Sequence, residues 1–312
     1  MMRIVFCGTP EFAVPSLQAL VDAGHQVPLV LTQPDRPAGR KQQLQLPPVK
    51  RLADRLGISV LQPERLKNNP ELQSALEQIS PDAIVVVAYG RIIPPWMLDL
   101  PRFGNINVHG SLLPKYRGAA PIQWAVANGD TETGVTTMLL DVGLDTGDTL
   151  LARRVPIGPR TTANELYAKL AEDGSKLLIE TLYGLEHRTI HAQPQDHAAA
   201  TLAPLLNRED GRLDLFHRTA QETYNRWRGF TPWPGAHAIF RGKRFLIHRM
   251  CTSDSTQGLS PYQIDILGDK LLVGAAKNTA LVFEEVQVEG KPRLSGTQFV
   301  KDFQVRPGES LA

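Results

Sequence analysis

The sequence lacks the features that define several common classes of protein. It contains only two cysteines, Cys7 and Cys251, one near each end, so we expect no disulfide framework. No apolar run approaches the ~20 residues that a membrane-spanning helix needs. The run that begins at Ile4 is also too short for a secretion signal. These absences predict a cytoplasmic protein that does not enter a membrane.

Charged and ligand-forming patterns are equally sparse. With 34 Lys and Arg against 32 Asp and Glu, the formal net charge is +2, so any surface that binds nucleic acid must be local. No group of cysteine, histidine and carboxylate residues has the spacing of metal ligands, and we expect no bound metal. Gly8, after the opening strand, lacks the two following glycines of the dinucleotide-binding fingerprint, which argues against a dinucleotide site.

The periodicity of the chain predicts two domains. Through residue 188, short apolar strands alternate with amphipathic helices, and the run 82–90 has the continuous apolar character of a central parallel strand. After residue 207, short strands recur between turn residues, as in a small β-barrel. We therefore predict an α/β domain with a Rossmann-like, mostly parallel sheet over 1–188, a linker over 189–207, and a β domain over 208–312.

One polar stretch, residues 105–122, begins as a strand of the α/β domain. Alternate side chains of a strand share a face, so Asn107 and His109 point the same way. Gly110 and Ser111 then break the strand, and ligands of open α/β sheets bind beyond the carboxyl ends of strands. The simpler alternative is that both side chains only cap the strand and satisfy amides of the following loop.

Three elements together give this stretch a specific resemblance. Asn107-x-His109 is followed by Ser-Leu-Leu-Pro at 111–114, and the glycine-containing acidic loop 141–148 includes Asp145. This set resembles the folate-dependent formyltransferases, and the similarity extends over nearly the whole chain. The residues that follow His109 are most similar to those of methionyl-tRNA formyltransferases. The resemblance implies that Asn107, His109 and Asp145 are catalytic.

The resemblance also implies the chemistry, which is transfer of a formyl group from 10-formyltetrahydrofolate to an amine. A developing oxyanion needs preorganised donors, which Asn107 and His109 can supply. The Asp145 carboxylate favours a protonated imidazole and can relay a proton. The implied folate site consists of two short segments, namely Ala88, Tyr89, Gly90 and Arg91, and Ser111, Leu112, Leu113 and Pro114. For the first segment, an ordinary turn between a strand and a helix is the alternative.

Two basic segments are candidates for contact with RNA. The segment 33–50 has four prolines, four basic residues and no helix or strand period, which is typical of a functional loop or of a mobile, solvated one. The resemblance implies that it enters the tRNA acceptor stem through Arg36, Arg40 and Lys41. It also gives the β domain an OB-like fold, with initiator methionyl-tRNA as the expected partner of a monomeric protein. In that domain, a hairpin that could instead be merely solvated carries three further candidates, Arg241, Lys243 and Arg244.

Three other functions stay open at this point. A sugar-amine N-formyltransferase would keep the catalytic residues and a β-rich tail, but it would have no use for the basic segment 33–50. A formyltetrahydrofolate hydrolase or dehydrogenase domain would release the formyl group or pass it onward. A catalytically silent RNA-binding protein with the same core is a third possibility, although the intact catalytic set argues against it.

Overall fold

The computed structural model describes residues 1–38, 43–254 and 258–312. The contacts divide the chain into two units. Unit 1 comprises Met1–Pro121, Glu132–Pro156 and Leu166–Pro204, and unit 2 comprises Ile122–Thr131, Ile157–Glu165 and Leu205–Ala312.

Strands and helices alternate along the first part of the chain, as the periodicity predicted. The strands are β1 (Arg3–Gly8), β2 (Gln26–Leu31), β3 (Arg36–Ala38), β4 (Gln43–Gln45), β5 (Ser59–Leu61), β6 (Ala83–Val87), β7 (Asn105–His109), β8 (Glu132–Leu139) and β9 (Thr149–Pro156). The helices are α1 (Val14–Asp22), α2 (Pro48–Arg55), α3 (Pro70–Ile79), α4 (Pro95–Leu98), α5 (Pro121–Ala127) and α6 (Ala163–Glu186).

Unit 1 is built on a seven-stranded sheet in the order β5-β2-β1-β6-β7-β8-β9. The four pairings from β5 to β7 are parallel, and the two that involve β8 are antiparallel. Every residue of β6 is buried, as expected of a central parallel strand covered on both faces. The predicted Rossmann-like, mostly parallel sheet is confirmed.

Unit 2 contains an antiparallel sheet in its C-terminal part. The strands are β10 (Ala236–Phe240), β11 (Lys243–Ser253), β12 (Ile264–Leu267), β13 (Lys270–Ala275), β14 (Thr279–Val288) and β15 (Leu294–Ser295), and the helices are α7 (Ala220–Phe230) and α8 (Gly296–Asp302). The sheet order is β10-β11-β14-β13-β12, and β15 pairs with β14. Backbone hydrogen bonds join Ala312 to Ile239 at one edge and Glu309 to Ile264 at the other. The chain thus bridges both edge strands, which fits the predicted β-barrel.

The two units interleave along the chain in a way that the predicted boundaries at 188 and 207 do not describe. In unit 2, Arg228 of α7 is buried and donates to the carbonyl oxygens of Gly158 (3.1 Å) and Thr161 (2.7 Å), which ties Ile157–Glu165 to this helix. Short inserted segments have no periodic pattern, so the sequence could not assign them. Most of the predicted linker lies in unit 1, which ends at Pro204. Within the described residues, no helix is long and apolar enough to cross a membrane.

Candidate active site

Strand β7 carries the predicted polar pair between a parallel and an antiparallel neighbour. Asn107 lies opposite Val86 of β6 and Met138 of β8, and His109 lies opposite Thr136 of β8. His109 is the last residue of the strand and is only 6% exposed. The pair therefore occupies the carboxyl end of a central strand, where ligands of such sheets bind.

The two asparagines of β7 share a face of the strand but differ in their hydrogen bonds. Asn105 is buried, and its Nδ2 donates to the carbonyl oxygens of Met97 and Leu98, at 2.9 Å each, which fixes helix α4 to the strand. The Asn107 side chain is half-buried and makes no hydrogen bond with another residue that the structure describes. Because its Oδ1 is buried, Nδ2 is the atom of this amide that remains available to a ligand.

His109 is positioned by both of its ring nitrogens. Its Nε2 lies 2.9 Å from the carbonyl oxygen of Tyr116, and because a carbonyl only accepts, Nε2 carries the proton of that bond. Its Nδ1 lies 3.7 Å from Oδ2 of Asp145, which is ion-pair distance but too long for a hydrogen bond. The two side chains are only 7% and 14% exposed, so their attraction is weakly screened by water.

The backbone holds Asp145 in an unusual conformation. Its φ is +51°, in the left-handed region that only a few per cent of non-glycine residues adopt. The backbone N–H of Gly118 donates to Oδ2 of Asp145 at 2.7 Å, which orients the carboxylate toward His109. At the start of the same loop, Asp141 accepts from the N–H of Gly143 (2.9 Å) and from the hydroxyl of Thr146 (2.7 Å). The acidic loop is therefore held by hydrogen bonds within the loop, to Asp141, and by a hydrogen bond from outside it, from Gly118 to Asp145.

The Ser-Leu-Leu-Pro segment forms a tight loop next to His109. The Ser111 hydroxyl is buried and donates to the carbonyl oxygen of Lys115 at 2.6 Å. Thr136 of β8 donates to the Ser111 carbonyl at 2.7 Å and accepts from the N–H of Leu113 at 3.2 Å. The Ser111 side chain therefore stabilises the loop, while Leu112, Leu113 and Pro114 are half-buried at its surface.

The predicted segment Ala88–Arg91 lines a separate pocket at the same edge of the sheet. Ala88 and Gly90 are exposed with positive φ values of 46° and 78°, whereas Tyr89 is buried and packs in the core. Arg91 turns away from the pocket and donates to the carbonyl oxygen of Glu64. The pocket has a volume of about 550 Å³, and its lining includes Thr9, Pro10, Gln33, Ala88, Tyr89 and Gly90.

A polar cluster anchors both ends of the basic segment 33–50. Lys50 donates to Asp35 and to Gln62 at 2.7 Å each, and Gln62 donates back to Asp35 at 2.7 Å and to the Gln33 carbonyl at 2.8 Å. Beyond these anchors, β3 and β4 form a two-stranded antiparallel sheet, on which Arg36 is exposed. Arg40 and Lys41, at the tip of the predicted loop, lie outside the residues that the structure describes.

The three predicted basic residues of unit 2 lie in different environments. Arg241 forms an ion pair with Glu309 at 2.8 Å and donates to the carbonyl oxygen of Phe303 at 2.9 Å. Arg244 lies 3.2 Å from Nδ1 of His237. Lys243 is exposed between them. Of the three, Arg241 would have to give up the most internal contacts to bind a phosphate.

Two residues near the site were not identified from the sequence. Arg117 lies inside the recognised motif but received no role, and Gln195 fell in the segment interpreted as a linker. Both are buried, with exposures of 6% and 7%. A lone glutamine in an irregular segment carries no pattern, so no signal in the sequence could have selected it.

Comparison with known families covers almost the entire chain. Residues 2–182 match the profile described as "Formyl transferase", and residues 205–304 match "Formyl transferase, C-terminal domain". The chain belongs to the formyl transferase family. Named relatives within this family include "Methionyl-tRNA formyltransferase" of Acidobacterium capsulatum, which is 56% identical over 99% of both chains. The protein of the same name from Koribacter versatilis is 57% identical over 99% of this chain and 98% of its own.

Solved structures of more distant proteins share the fold. The sugar 3N-formyl transferase WlaRD, crystallised in the presence of dTDP and 5-N-formyl-THF, is 18% identical, with a TM-score of 0.67 over 94% of this chain and 99% of that chain. HypX from Aquifex aeolicus, in complex with tetrahydrofolic acid, is 18% identical, with a TM-score of 0.61 over 99% of this chain and 48% of its own. The predicted resemblance to the formyltransferases is confirmed.

The polar cluster at the base of segment 33–50 gives a prediction about acid stability. The hydrogen bonds from Lys50 and then Gln62 lower the pKa of Asp35 below its ordinary value of 3.8. A carboxyl whose pKa is lower in the folded state stabilises the fold above the unfolded-state pKa, and it loses this contribution as the pH falls toward the folded-state value. In Lys50→Met we expect the pKa of Asp35 to rise toward 3.8 and the acid-dependent loss of stability to diminish.

Carbon NMR titration of the Asp35 carboxyl, together with urea unfolding at acid pH, measures both effects. Lys67→Met, at an exposed lysine outside the cluster, is the matched control. An Asp35 titration that is the same in Lys50→Met and in the parent protein would show that Lys50 does not cause the shift.

Proposed function

We propose that the protein transfers a formyl group from 10-formyltetrahydrofolate to the α-amino group of initiator methionyl-tRNA. The observation that carries this proposal is the 56–57% identity, over 99% of the chain, to proteins named methionyl-tRNA formyltransferase. The solved sugar formyl transferases and HypX are less than 20% identical, so their likeness supports the fold but not their acceptors. Sugar-amine transfer and formyltetrahydrofolate hydrolysis are therefore the less favoured functions.

The reaction places two demands on the site. A bond forms between the amine nitrogen and the formyl carbon, and the bond between that carbon and N10 of the folate breaks. Negative charge builds on the formyl oxygen in between, so donors must already face it. The amine also loses a proton and N10 gains one, so the site needs a group that can relay a proton.

Asn107 and His109 are the proposed donors to the formyl oxygen. The Asn107 amide has no internal hydrogen-bond partner among the described residues, so using it breaks no contact of the resting fold. His109 uses Nε2 to bind the Tyr116 carbonyl, which leaves Nδ1 as the ring nitrogen that can serve the substrate. When the ring is protonated, Nδ1–H faces the space beside Asp145, where a substrate oxygen can accept it.

Asp145 is the proposed proton relay and the counter-charge of His109. Its Oδ2 is held 3.7 Å from Nδ1, so the carboxylate lies at ion-pair distance from the ring without occupying Nδ1 with a hydrogen bond. The carboxylate can accept the proton of the attacking amine, directly or through water, and return it to N10. No covalent nucleophile is needed, which agrees with the internal use of the Ser111 hydroxyl.

The remaining site assignments belong to the same proposal. The folate is bound by the main chain and apolar surface of two segments at the carboxyl edge of the sheet, one at Ala88–Arg91 and one at Ser111–Pro114. Arg36, Arg40 and Lys41 contact the acceptor stem, and residues 208–312, through Arg241, Lys243 and Arg244, contact the tRNA elsewhere. We further propose that the protein is a cytoplasmic monomer and that it needs no metal. Among the described residues, no cluster of His, Cys, Asp and Glu could hold one.

Formylation of charged initiator tRNA by the purified protein tests the proposal. Formyl-methionyl-tRNA should form only in the presence of 10-formyltetrahydrofolate, and a deoxynucleotide-linked amino sugar should remain unmodified. Formylation of the amino sugar alone, or release of formate without any acceptor, would replace the proposed function by the corresponding alternative.

The asparagines of β7 provide a matched pair of variants. Asn107→Ala should lower turnover roughly 10²-fold, the scale for loss of one oxyanion donor, with little change in folate affinity or melting temperature. Asn105→Ala should instead destabilise the fold by about 1–3 kcal/mol, since it removes the donor to the carbonyls of Met97, in a buried bond, and Leu98, in a partly buried one. Single-turnover rates and thermal unfolding of both variants give the comparison. Near-normal turnover in Asn107→Ala would remove its oxyanion role.

The contribution of the basic segment 33–50 to tRNA binding should be measurable from the salt dependence of the binding constant. Each phosphate contact that is lost flattens the slope of log K against log salt by about 0.9, so the triple alanine variant of Arg36, Arg40 and Lys41 should lose roughly 2 to 3 units of slope. Folate binding should not change. The matched control replaces two other exposed arginines and one lysine of unit 1, Arg55, Arg65 and Lys67. Equal slopes for the triple variant and the control would contradict contact between this segment and the tRNA.

A further inference from the structure

Residues 193–203, which we call the strap, run along the candidate active site after helix α6. They lie between the two family matches, which end at residue 182 and resume at residue 205. Gln193 exchanges two backbone hydrogen bonds with Thr149 of β9, at 2.8 and 2.9 Å. At the other end of the strap, the carbonyl of Thr201 accepts a hydrogen bond from the N–H of Arg117 (2.8 Å). The N–H of Ala203 donates to the carbonyl of Arg117 (2.7 Å). The strap thus pairs with the sheet and with the Ser-Leu-Leu-Pro loop.

Gln195 is the residue of the strap that reaches the acidic loop. Its Nε2 donates to the carbonyl oxygens of Asp145 (2.9 Å) and Gly147 (2.6 Å). Its Oε1 accepts from Nε and Nη2 of Arg117 at 3.1 and 2.7 Å. The Gln195 amide therefore donates through Nε2 to the acidic loop and accepts through Oε1 from Arg117, in the loop that follows β7. Because both Gln195 and Arg117 are buried, these bonds do not compete freely with water.

The strap also contacts the segment that positions His109, the partner of Asp145 in the ion pair. The N–H of Tyr116, whose φ is +63°, donates to the hydroxyl of Thr201 at 2.9 Å. The carbonyl of Tyr116 is the group that binds Nε2 of His109. A displacement of the strap would therefore move the anchor of His109 and the backbone of Asp145 together.

We propose that Gln195, with Arg117, is a positioning element that sets the separation of His109 and Asp145 and so the rate of the chemical step. This inference rests on the proposed function, which makes those two residues catalytic. Asp145 is held in a left-handed backbone conformation by contacts outside its own loop, and such conformations persist only when the surroundings enforce them. Gln195 supplies that enforcement at the Asp145 carbonyl itself.

Gln195→Glu is the informative substitution. A carboxylate at this position still accepts from Arg117 but cannot donate to the carbonyls of Asp145 and Gly147. Turnover should fall by about 10²-fold, the scale of an ångström-sized misplacement of a catalytic group, while KM for the tRNA and for the folate changes little. Gln195→Asn keeps the amide and the neutral charge but is one methylene shorter, and it should show the same split between turnover and KM.

The control and the double-mutant cycle separate positioning from general damage. Gln193→Glu is the same change two residues away, at an exposed side chain whose described hydrogen bonds use only the main chain, and it should keep full turnover. In an Asp145→Ala background, Gln195→Glu should cause no further loss, since its effect acts through Asp145. A loss of the same size in both backgrounds would overturn the proposal.

Amide hydrogen exchange at Gly118 tests the strap without any substrate. The N–H of Gly118 is protected by its bond to the Asp145 carboxylate, so exchange should accelerate in Gln195→Glu and Gln195→Asn but not in Gln193→Glu. Unchanged exchange at Gly118 in both Gln195 variants, with unchanged turnover, would overturn the inference and leave the proposed function standing. A parent protein that does not formylate methionyl-tRNA would overturn the function, and the exchange experiment would still decide whether the strap positions Asp145.

Discussion

The site depends on one constraint, the fixed separation of 3.7 Å between Nδ1 of His109 and Oδ2 of Asp145. At this distance the Asp145 carboxylate can attract a charged ring, yet it does not occupy Nδ1 with a hydrogen bond, which is what the proposed donor role of His109 requires. A shorter contact would occupy Nδ1 with a hydrogen bond to the carboxylate, and a longer one would weaken the electrostatic attraction between the two groups. Neither side chain sets the distance alone, because the two come from segments that are 36 residues apart in sequence.

Two backbone groups contact the ion pair directly. Asp145 is oriented by the N–H of Gly118, and His109 is oriented by the carbonyl of Tyr116. Both of these groups belong to the irregular loop that follows β7, so one short loop presents a donor to Asp145 and an acceptor to His109. Peptide groups are fixed dipoles that carry no net charge and do not titrate.

Much of the fold could be predicted from the sequence, because its signals were local and periodic. The apolar run at 82–90 became the buried strand β6, and the short strands predicted after residue 207 became the antiparallel sheet of β10–β15. The pairing of Asn107 with His109 followed from the two-residue period of a strand. The acidic loop could be placed beside them only through the family resemblance, since no physical rule links residue 145 to residue 109 in sequence.

What the sequence could not show depends on contacts made by irregular segments. Residues 189–207 have few periodic apolar residues, and we interpreted them as a linker, yet residues 193–203 pair with β9 and with the loop of Arg117. The segments 122–131 and 157–165 are too short to show a periodic pattern that would assign them to one unit. Many of the contacts that hold residues 193–203 and 157–165 are made to backbone carbonyls and amides. Every residue type has a backbone carbonyl, and every type except proline has a backbone N–H. The residue types in a sequence therefore do not show where such contacts form.

Replacement of Asp145 by asparagine most directly measures the contribution of the carboxylate held beside His109. Asparagine preserves the shape of the side chain and can still accept from the N–H of Gly118, so the loop should remain folded. The single-turnover rate of formyl transfer to methionyl-tRNA should fall by at least about 10²-fold, the scale of general acid–base catalysis, without a change in the melting temperature. A variant that transfers the formyl group at the parent rate would show that the carboxylate beside His109 is not part of the chemistry.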